Sequence, residues 1–351
     1  MNKKMPYVLL MLGSLLICAD MLSAYSPAAF SKNENAVYWY GKKIENCDPG
    51  SFESIDEAYS RDNKSVYYRT KQITGSDPAT FELLEWGYAK DKNAVYIEGA
   101  RIEQADPGSF NIIDYLYARD NNAIYFRDER LEDIDYISFE IIQTGAGRSY
   151  AKDKHSIFFG ATELENVDMD SFRIINGGYS KDYKNVYCCG LRLDEADPES
   201  FQIAGYQYSM DTDSVYHKTE LLKGSDPGTF RVMGSGYAVD KESVYYDGNK
   251  LAGAEADVFE SLGKHYAKDG TGVFYKDKKV ESADPLSFQL FKHSLLDYAK
   301  DKHAVFYEGA QIEGADPGSF RIIGAFGRGP SKFSAEDDNF YYNGPLKVKK
   351  Q

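Results

Sequence analysis

The sequence predicts an all-β tandem-repeat protein, β-rich with short capped helical turns, built as an open solenoid or superhelix of about ten 29-residue units. Two observations support this prediction. A Tyr-Ala-Lys-Asp motif recurs at a nearly constant interval, and a β-branched residue followed by an aromatic residue stands at a fixed distance after each copy. An internal period of roughly 20 to 50 residues is typical of solenoids, propellers and arrays.

The period is measured from the aspartate that closes the motif, which we call the anchor. Tyr88-Ala89-Lys90-Asp91 is a representative copy, and most anchors are 29 residues apart. The anchors are Asn33, Asp62, Asp91, Asp120, Asp153, Asp182, Asp211, Asp240, Asp269 and Asp301. A degenerate copy is predicted from Phe333, with Glu336 at the anchor position. Residues 30–351 are therefore predicted to be a single array of ten repeats and a C-terminal capping repeat.

Each unit is predicted to begin with a strand that leads into a hairpin. The β-branched and aromatic residues, such as Val244-Tyr245, favour a strand. An acidic residue and a glycine follow, as in Asp247-Gly248. Because glycine adopts positive φ at little cost, this pair predicts a two-residue hairpin turn. The return strand carries an apolar residue such as Leu251.

The second half of the unit is predicted to contain one capped turn and a third strand. In Asp106-Pro107 the carboxylate can cap free N–H groups, and proline suits a first helical position. Phe110 is predicted to be a core residue between neighbouring units, and Ile112-Ile113 begins the third strand. Ten three-stranded units exceed the usual four to eight four-stranded blades of a propeller. We therefore favour the open solenoid, with a closed propeller-like ring as the alternative.

The unit resembles the DKNYY repeat family of bacterial proteins. The residues that carry the likeness are those that follow the anchor: Asp62-Asn63-Lys64-Ser65-Val66-Tyr67-Tyr68, Asp91-Lys92-Asn93-Ala94-Val95-Tyr96 and Asp301-Lys302-His303-Ala304-Val305-Phe306-Tyr307. The resemblance implies a repeated β-rich unit found largely in bacterial envelope and secreted proteins. It implies no catalytic residues that could be transferred to this chain.

Residues 1–24 are predicted to be a signal peptide. Lys3 and Lys4 precede an apolar run from residue 7 to residue 18, which is shorter than the roughly 20 residues of a membrane-spanning helix. Cleavage after Ala24 is preferred, and a lipobox-like sequence ending at Cys18 makes lipidation of that cysteine the alternative. The protein is thus expected to be exported and periplasmic, on the cell surface or secreted. Contact with a membrane is expected only through an N-terminal lipid or an uncleaved signal.

No residue pattern predicts catalysis, a cofactor or a metal, so the chain is not expected to be an enzyme. The recurrent aspartates suit turns and caps, and a stacked calcium site is the alternative. The five histidines have no metal-ligand spacing. After signal removal the cysteines are Cys47 and the adjacent pair Cys188 and Cys189, which lacks the spacing of a CxxC motif and is predicted to fill ordinary repeat positions.

Three insertions interrupt the period, and all fall between the recurrent phenylalanine and the next Tyr-Ala-Lys-Asp motif. They contain Arg148, His293 and Arg328, which we predict as candidate interaction residues. Insertions at one repeat position often project from a binding face, although loops also tolerate added length. We therefore expect a non-enzymatic interaction scaffold in the envelope or outside the cell. A glycan-binding module that uses exposed aromatics is the alternative.

Composition narrows the class of partner. The full chain has 41 Lys+Arg against 55 Asp+Glu, a net charge of −14, and loss of residues 1–24 leaves 39 against 54. Because nucleic-acid binding needs a basic face, no nucleic-acid partner is expected. An unknown protein partner with a basic surface suits this charge better.

Overall fold

The computed structural model describes residues 29–145, 148–176, 178–291, 296–323 and 333–350. The chain divides into two compact units, Met1–Glu163 and Leu164–Gln351, and each is described by itself. The described residues form eleven small antiparallel sheets, five in the first unit and six in the second. The first sheet has three strands, and every other sheet has four.

The strands of the first unit are β1 (Phe30–Lys32), β2 (Val37–Trp39), β3 (Lys42–Ile44), β4 (Glu53–Ser54), β5 (Tyr59–Arg61), β6 (Val66–Tyr68), β7 (Lys71–Ile73), β8 (Glu82–Leu83), β9 (Tyr88–Lys90), β10 (Val95–Ile97), β11 (Ala100–Ile102), β12 (Asn111–Ile112), β13 (Tyr117–Arg119), β14 (Ile124–Phe126), β15 (Glu129–Leu131), β16 (Glu140–Gly145), β17 (Arg148–Lys152), β18 (Ile157–Phe159) and β19 (Thr162–Glu163). A short 3-10 helix spans Glu85–Gly87.

The strands of the second unit are β20 (Arg173–Asn176), β21 (Tyr179–Lys181), β22 (Val186–Cys188), β23 (Leu191–Leu193), β24 (Gln202–Gly205), β25 (Tyr208–Met210), β26 (Val215–His217), β27 (Glu220–Leu221), β28 (Arg231–Gly234), β29 (Tyr237–Val239), β30 (Val244–Tyr246), β31 (Asn249–Lys250), β32 (Glu260–Gly263), β33 (Tyr266–Lys268), β34 (Val273–Tyr275), β35 (Lys278–Lys279), β36 (Gln289–Leu290), β37 (Tyr298–Lys300), β38 (Val305–Tyr307), β39 (Ala310–Gln311), β40 (Arg321–Ile322), β41 (Ala335–Glu336), β42 (Phe340–Asn343) and β43 (Leu346–Lys349). A short 3-10 helix spans Ala256–Val258.

Each full sheet is a four-stranded meander, so the prediction of three strands per 29-residue repeat was wrong. The first three residues of the motif form a strand of their own. In β9, Tyr88 pairs with Ile97 on one side, and Ala89 pairs with Leu83 on the other. The segment predicted as one strand breaks in two because a turn that contains Trp86, with a φ of 58°, separates the apolar pair from the motif.

The hairpin turns and the tandem all-β architecture are confirmed. Asp247 and Gly248 have φ values of 43° and 81°, the left-handed pair that a type I′ turn requires. Such a turn matches the right-handed twist of the flanking strands, here β30 and β31. The same pattern recurs at Glu98-Gly99 and Glu308-Gly309.

A recurrent aromatic ladder joins each sheet to the next within a unit. The ring of Phe81 lies 5.6 Å from that of Tyr59 in β5 and 5.8 Å from that of Tyr96 in β10. All three side chains are buried, and full burial of one such ring contributes roughly 2–3 kcal/mol. The phenylalanine is therefore a core residue between neighbouring sheets, as predicted. The equivalent ladders of the second unit include Tyr208–Phe230–Tyr245.

No helix in the part of the chain that the structure describes is both long enough and apolar enough to cross a bilayer.

Candidate interaction surface

Each four-stranded sheet presents two ends with different chemistry. The hairpin end consists of the loop between the first and second strands and the turn between the third and fourth, such as residues 84–87 and 98–99. The anchor end consists of the loop between the second and third strands and the Asp-Pro segment that leads into the next sheet. Because the meander folds back at every turn, each four-stranded sheet has the same kind of loop at the same end.

In ten of the eleven described sheets the anchor end is built around one buried carboxylate, and in the first sheet the exposed amide of Asn33 takes its place. In Asp240, Oδ1 accepts hydrogen bonds from the backbone N–H groups of Glu242 and Ser243, both at 2.8 Å. Its Oδ2 accepts from the N–H of Asp226 at 3.1 Å and from the hydroxyl of Tyr245 at 2.8 Å. The first pair closes an Asx turn, and the second pair ties the preceding Asp-Pro segment to the sheet.

These contacts set opposite protonation preferences on the two partners. Burial favours the neutral acid, but the hydrogen bonds from Glu242, Tyr245 and Asp226 outweigh it and hold the pKa of Asp240 below its ordinary value. Burial, reinforced by the hydrogen bond to Asp240, raises the pKa of Tyr245 to about 12. The pair is therefore an ionised acceptor and a neutral donor across the physiological range.

The same carboxylate arrangement corrects the alignment of the last repeat. Asp337, and not Glu336, accepts from the N–H groups of Asn339 and Phe340 at 2.8 and 2.7 Å. It also accepts the hydroxyl of Tyr342 at 2.5 Å. Glu336 lies in the position of the motif lysine and forms ion pairs with Arg321 and Lys350. The prediction was one residue out because Ser334, and not an aromatic residue, stands at the tyrosine position.

The Asp-Pro segments are turns that their own aspartate caps. Asp106 accepts the N–H of Gly108 at 3.0 Å and the hydroxyl of Ser109 at 2.6 Å. The segment before β32 has Glu255-Ala256 in place of Asp-Pro and forms the 3-10 helix Ala256–Val258 without a side-chain cap. A lysine after the anchor often reaches the same aspartate, as in the 2.9 Å ion pair between Lys241 and Asp226. Within the ranges that the structure covers, no three His, Cys, Asp or Glu side chains converge as metal ligands.

The hairpin end of the first unit exposes aromatic side chains. Trp86 is 63% exposed, and its ring centroid lies 6.1 Å from that of Tyr115 at the same position in the next sheet. The residues that follow them, Gly87 and Leu116, accept backbone hydrogen bonds from Glu98 and Arg127. The side chains of Glu98 and Arg127 form an ion pair at 3.4 Å. An aromatic platform thus lies beside a pair of charged turns.

The preceding sheets carry a second aromatic group at this end. Arg69 lies over the rings of Trp39 and Tyr68, at 5.5 and 5.0 Å from their centroids. Tyr40, which is 51% exposed, contacts Trp39 edge to face. These rings extend the exposed aromatic character over several consecutive sheets of the first unit.

The three insertions share one position in the order of strands. Each insertion separates the first from the second strand of its sheet: β16 from β17, β36 from β37 and β40 from β41. Arg148 begins β17, and its side chain lies outside the described residues. His293, Arg328, Cys18 and the predicted signal at residues 1–24 also lie outside the described residues.

Sequence reasoning missed Trp86 and Tyr115. The signal was available, because Trp86 stands where other repeats carry residues as different as Glu57 and Ser235. A repeat position whose residue type varies is free of core packing. The predicted core files, such as Tyr88, are buried, so the recurrent aromatics do not form an exposed file.

The fold and its repeated carboxylates define an all-β tandem-repeat protein in which each anchor aspartate ties its sheet to the segment before it. The chain belongs to the DKNYY family, whose matches cover residues 14–71, 59–116, 88–220, 117–248, 163–278 and 275–351. The predicted family is thereby confirmed. Neither a curated protein nor a solved structure matches the chain significantly.

Proposed function

We propose that this protein is a non-enzymatic repeat scaffold that mediates interactions in the bacterial cell envelope or outside the cell, through the hairpin end of its sheets. The observation that carries the proposal is the group of exposed aromatic side chains at the hairpin end of the first unit. At the anchor end the buried carboxylates are saturated by internal hydrogen bonds, as at Asp240. At the hairpin end Trp86 and Tyr40 are exposed. Exposed aromatics are enriched where proteins bind partners.

The acidic surface favours a partner with a basic face. Charge of one sign raises the encounter rate with the opposite sign and is screened by salt. The exposed aromatics would then supply the short-range contacts. We therefore expect the association to weaken as ionic strength rises.

Site-specific photocrosslinking in the native cells tests this proposal. A photoreactive residue is placed at Trp86 on the hairpin end, and the matched control carries it at Asn63, which is exposed at the anchor end of the same unit. The proposal expects one discrete adduct from position 86 and none from position 63. Equal labelling from both positions, or labelling from neither, would contradict it.

Export is tested separately on the native protein. Cleavage after Ala24 predicts a mature chain that begins at Tyr25 in the exported fraction. Terminal sequencing by mass spectrometry checks this. A cytosolic chain that retains residues 1–24 would overturn export, and a lipid on Cys18 would replace the preferred cleavage site.

A glycan ligand is the second candidate, favoured by the adjacent rings of Trp86 and Tyr115. Flat aromatic faces with flanking charged groups suit the apolar faces and hydroxyls of sugar rings. The chain has only two tryptophans, so Trp39→Phe leaves Trp86 as the sole indole reporter. Soluble cell-wall glycan fragments should change its fluorescence saturably. The reverse variant, Trp86→Phe, is the control, and an equal change in both variants counts against this site.

A further inference from the structure

The adjacent thiols of Cys188 and Cys189 lie together on the hairpin end of β22 and β23. In an extended strand, successive side chains point to opposite faces. Cys189 instead has a φ of 56° and Gly190 a φ of 84°, so the chain turns at the second thiol. As a result the two Sγ atoms are 3.9 Å apart. The backbone turn, and not the sequence spacing, creates the pair.

The two thiols differ in access, and a glycine opposite them leaves room. Cys188 is 3% exposed and packs with Val186 and Leu193 in the core, whereas Cys189 is exposed. The N–H of Cys189 donates to the carbonyl of Gly178 at 2.6 Å. A Cβ on Gly178 would lie 3.5 Å from the Sγ of Cys189, so a larger side chain there would crowd the sulfur.

The separation of the sulfurs suits a bridging ion better than a direct bond. Two bonds of about 2.3 Å to sulfur place the sulfurs roughly 3.3 Å apart at the near-right angle of pyramidal trivalent arsenic and about 4.6 Å apart in the linear geometry of monovalent copper, and 3.9 Å lies between these limits. A disulfide needs about 2.05 Å between sulfurs and Cα atoms usually about 4.4–6.8 Å apart. Neighbouring Cα atoms are fixed at about 3.8 Å, so a direct bridge is strained and easily reduced.

We propose that Cys188 and Cys189 form a bidentate thiolate site for a thiophilic ion, of the class that includes trivalent arsenic and monovalent copper. Soft sulfur ligands select such ions over hard cations. The exposed thiol of Cys189 reacts first, and the thiol of Cys188 then closes the chelate from within the fold. This inference is independent of the proposed scaffold function, because it uses neither Trp86 nor a macromolecular partner.

Phenylarsine oxide provides a defined probe of the site. Two As–S bonds form, the arsenic–oxygen bond breaks, and the oxygen leaves as water with the two thiol protons. Arsenic remains trivalent, so no oxidant or reductant is needed. The expected product is one phenylarsenic group per chain, detected by mass spectrometry under native conditions after reductant is removed.

Variants of Cys47, Cys188 and Cys189 identify the residues that hold the adduct. The adduct should persist in Cys47→Ser and survive a brief wash with a monothiol, because a chelate releases only when both bonds break. Cys189→Ser and Cys188→Ala should lose the wash-resistant adduct. Hydrogen exchange of residues 173–193 verifies that each variant is folded. If Cys188→Ala unfolds, the Cys189→Ser comparison and the wash resistance of the parent protein still decide the outcome.

Three results would overturn the proposal. One is the absence of an adduct on the folded protein, and another is an adduct of equal persistence in Cys189→Ser. The third is a purified chain whose mass is lower by two hydrogens and is restored by reductant. That chain would show that the pair closes on itself and does not hold an ion.

Discussion

Removal of the Asp240 carboxylate should destabilise the second unit strongly, because four hydrogen bonds converge on it. In Asp240→Ala, the buried hydroxyl of Tyr245 and the N–H of Ser243 lose their acceptor. Each such unsatisfied group costs roughly 1–3 kcal/mol. The N–H groups of the exposed Glu242 and the half-buried Asp226 can recover water, and their losses are smaller. We therefore expect a total loss of about 3–5 kcal/mol in the free energy of unfolding.

Two further substitutions show whether the carboxylate itself is responsible. Asp240→Asn keeps one acceptor for the Asx turn but turns an NH₂ group towards the N–H of Asp226, so about half of the loss is expected. Glu242→Ala is the matched control, since it removes an exposed carboxylate two residues away. It should change stability by less than about 0.5 kcal/mol.

Hydrogen exchange of the second unit is the suitable assay, since repeat arrays need not unfold in one step. Faster exchange is expected first in β29 and β30 and in the Asp-Pro segment around Asp226. The carboxylate stabilises the fold when ionised, and its pKa is lower in the folded chain. Its contribution is thus complete above the unfolded pKa and is lost as pH falls through the folded pKa. Asp240→Ala that matches Glu242→Ala at neutral pH would refute this reasoning.

Four further outcomes are expected. Ser60→Ala should stabilise the first unit by about 1 kcal/mol in a denaturant titration, because the buried Ser60 hydroxyl has no hydrogen-bond partner. The next repeat already has an alanine, Ala89, at the same position. A loss of stability would contradict this expectation. Gly99→Ala should cost about 1–3 kcal/mol more than Gly41→Ala, because both glycines have positive φ but only at Gly99 would the new Cβ clash with the Cβ of Tyr68. Equal losses would count against the packing argument. Burial, aided by Lys218, lowers the pKa of His217 below 6.5. The contribution of neutral His217 to stability is therefore complete above the unfolded pKa and is lost as pH falls through the folded pKa. The pH dependence of the melting temperature should be weaker in His217→Phe, and an unchanged dependence would assign it to another group. Chelation of calcium should leave the melting temperature unchanged, and a large drop would restore the calcium alternative.

The surface that carries the proposed interactions was only partly foreseeable. The insertions pointed to the loop before the motif, and the strand bounds show that this loop lies at the hairpin end. Trp86 and Tyr115 stand at a repeat position whose residue type varies, so the recurring pattern does not single them out. Their rings are neighbours, 6.1 Å apart, only in the tertiary structure, because that proximity depends on how consecutive sheets stack.

The sequence alone determined the features that arise from short-range chemistry repeated many times. The period, the hairpin turn at Asp247-Gly248 and the core role of Phe81 each follow from local conformational preference or hydrophobicity. The Asx turn at the anchor was predictable for the same reason, since its donors lie two and three residues away. Repetition made each of these weak local signals reliable.

Tertiary structure decided whatever depends on residues far apart in the chain. The second oxygen of Asp240 accepts an N–H from a residue 14 positions earlier, a pairing that no local pattern specifies. The fourth strand exists because β29 has partners on both sides, β28 and β30. The proximity of the Cys188 and Cys189 sulfurs likewise depends on a left-handed residue held between two paired strands. Such contacts form only when the sheets assemble, and the linear pattern of residues does not specify that assembly.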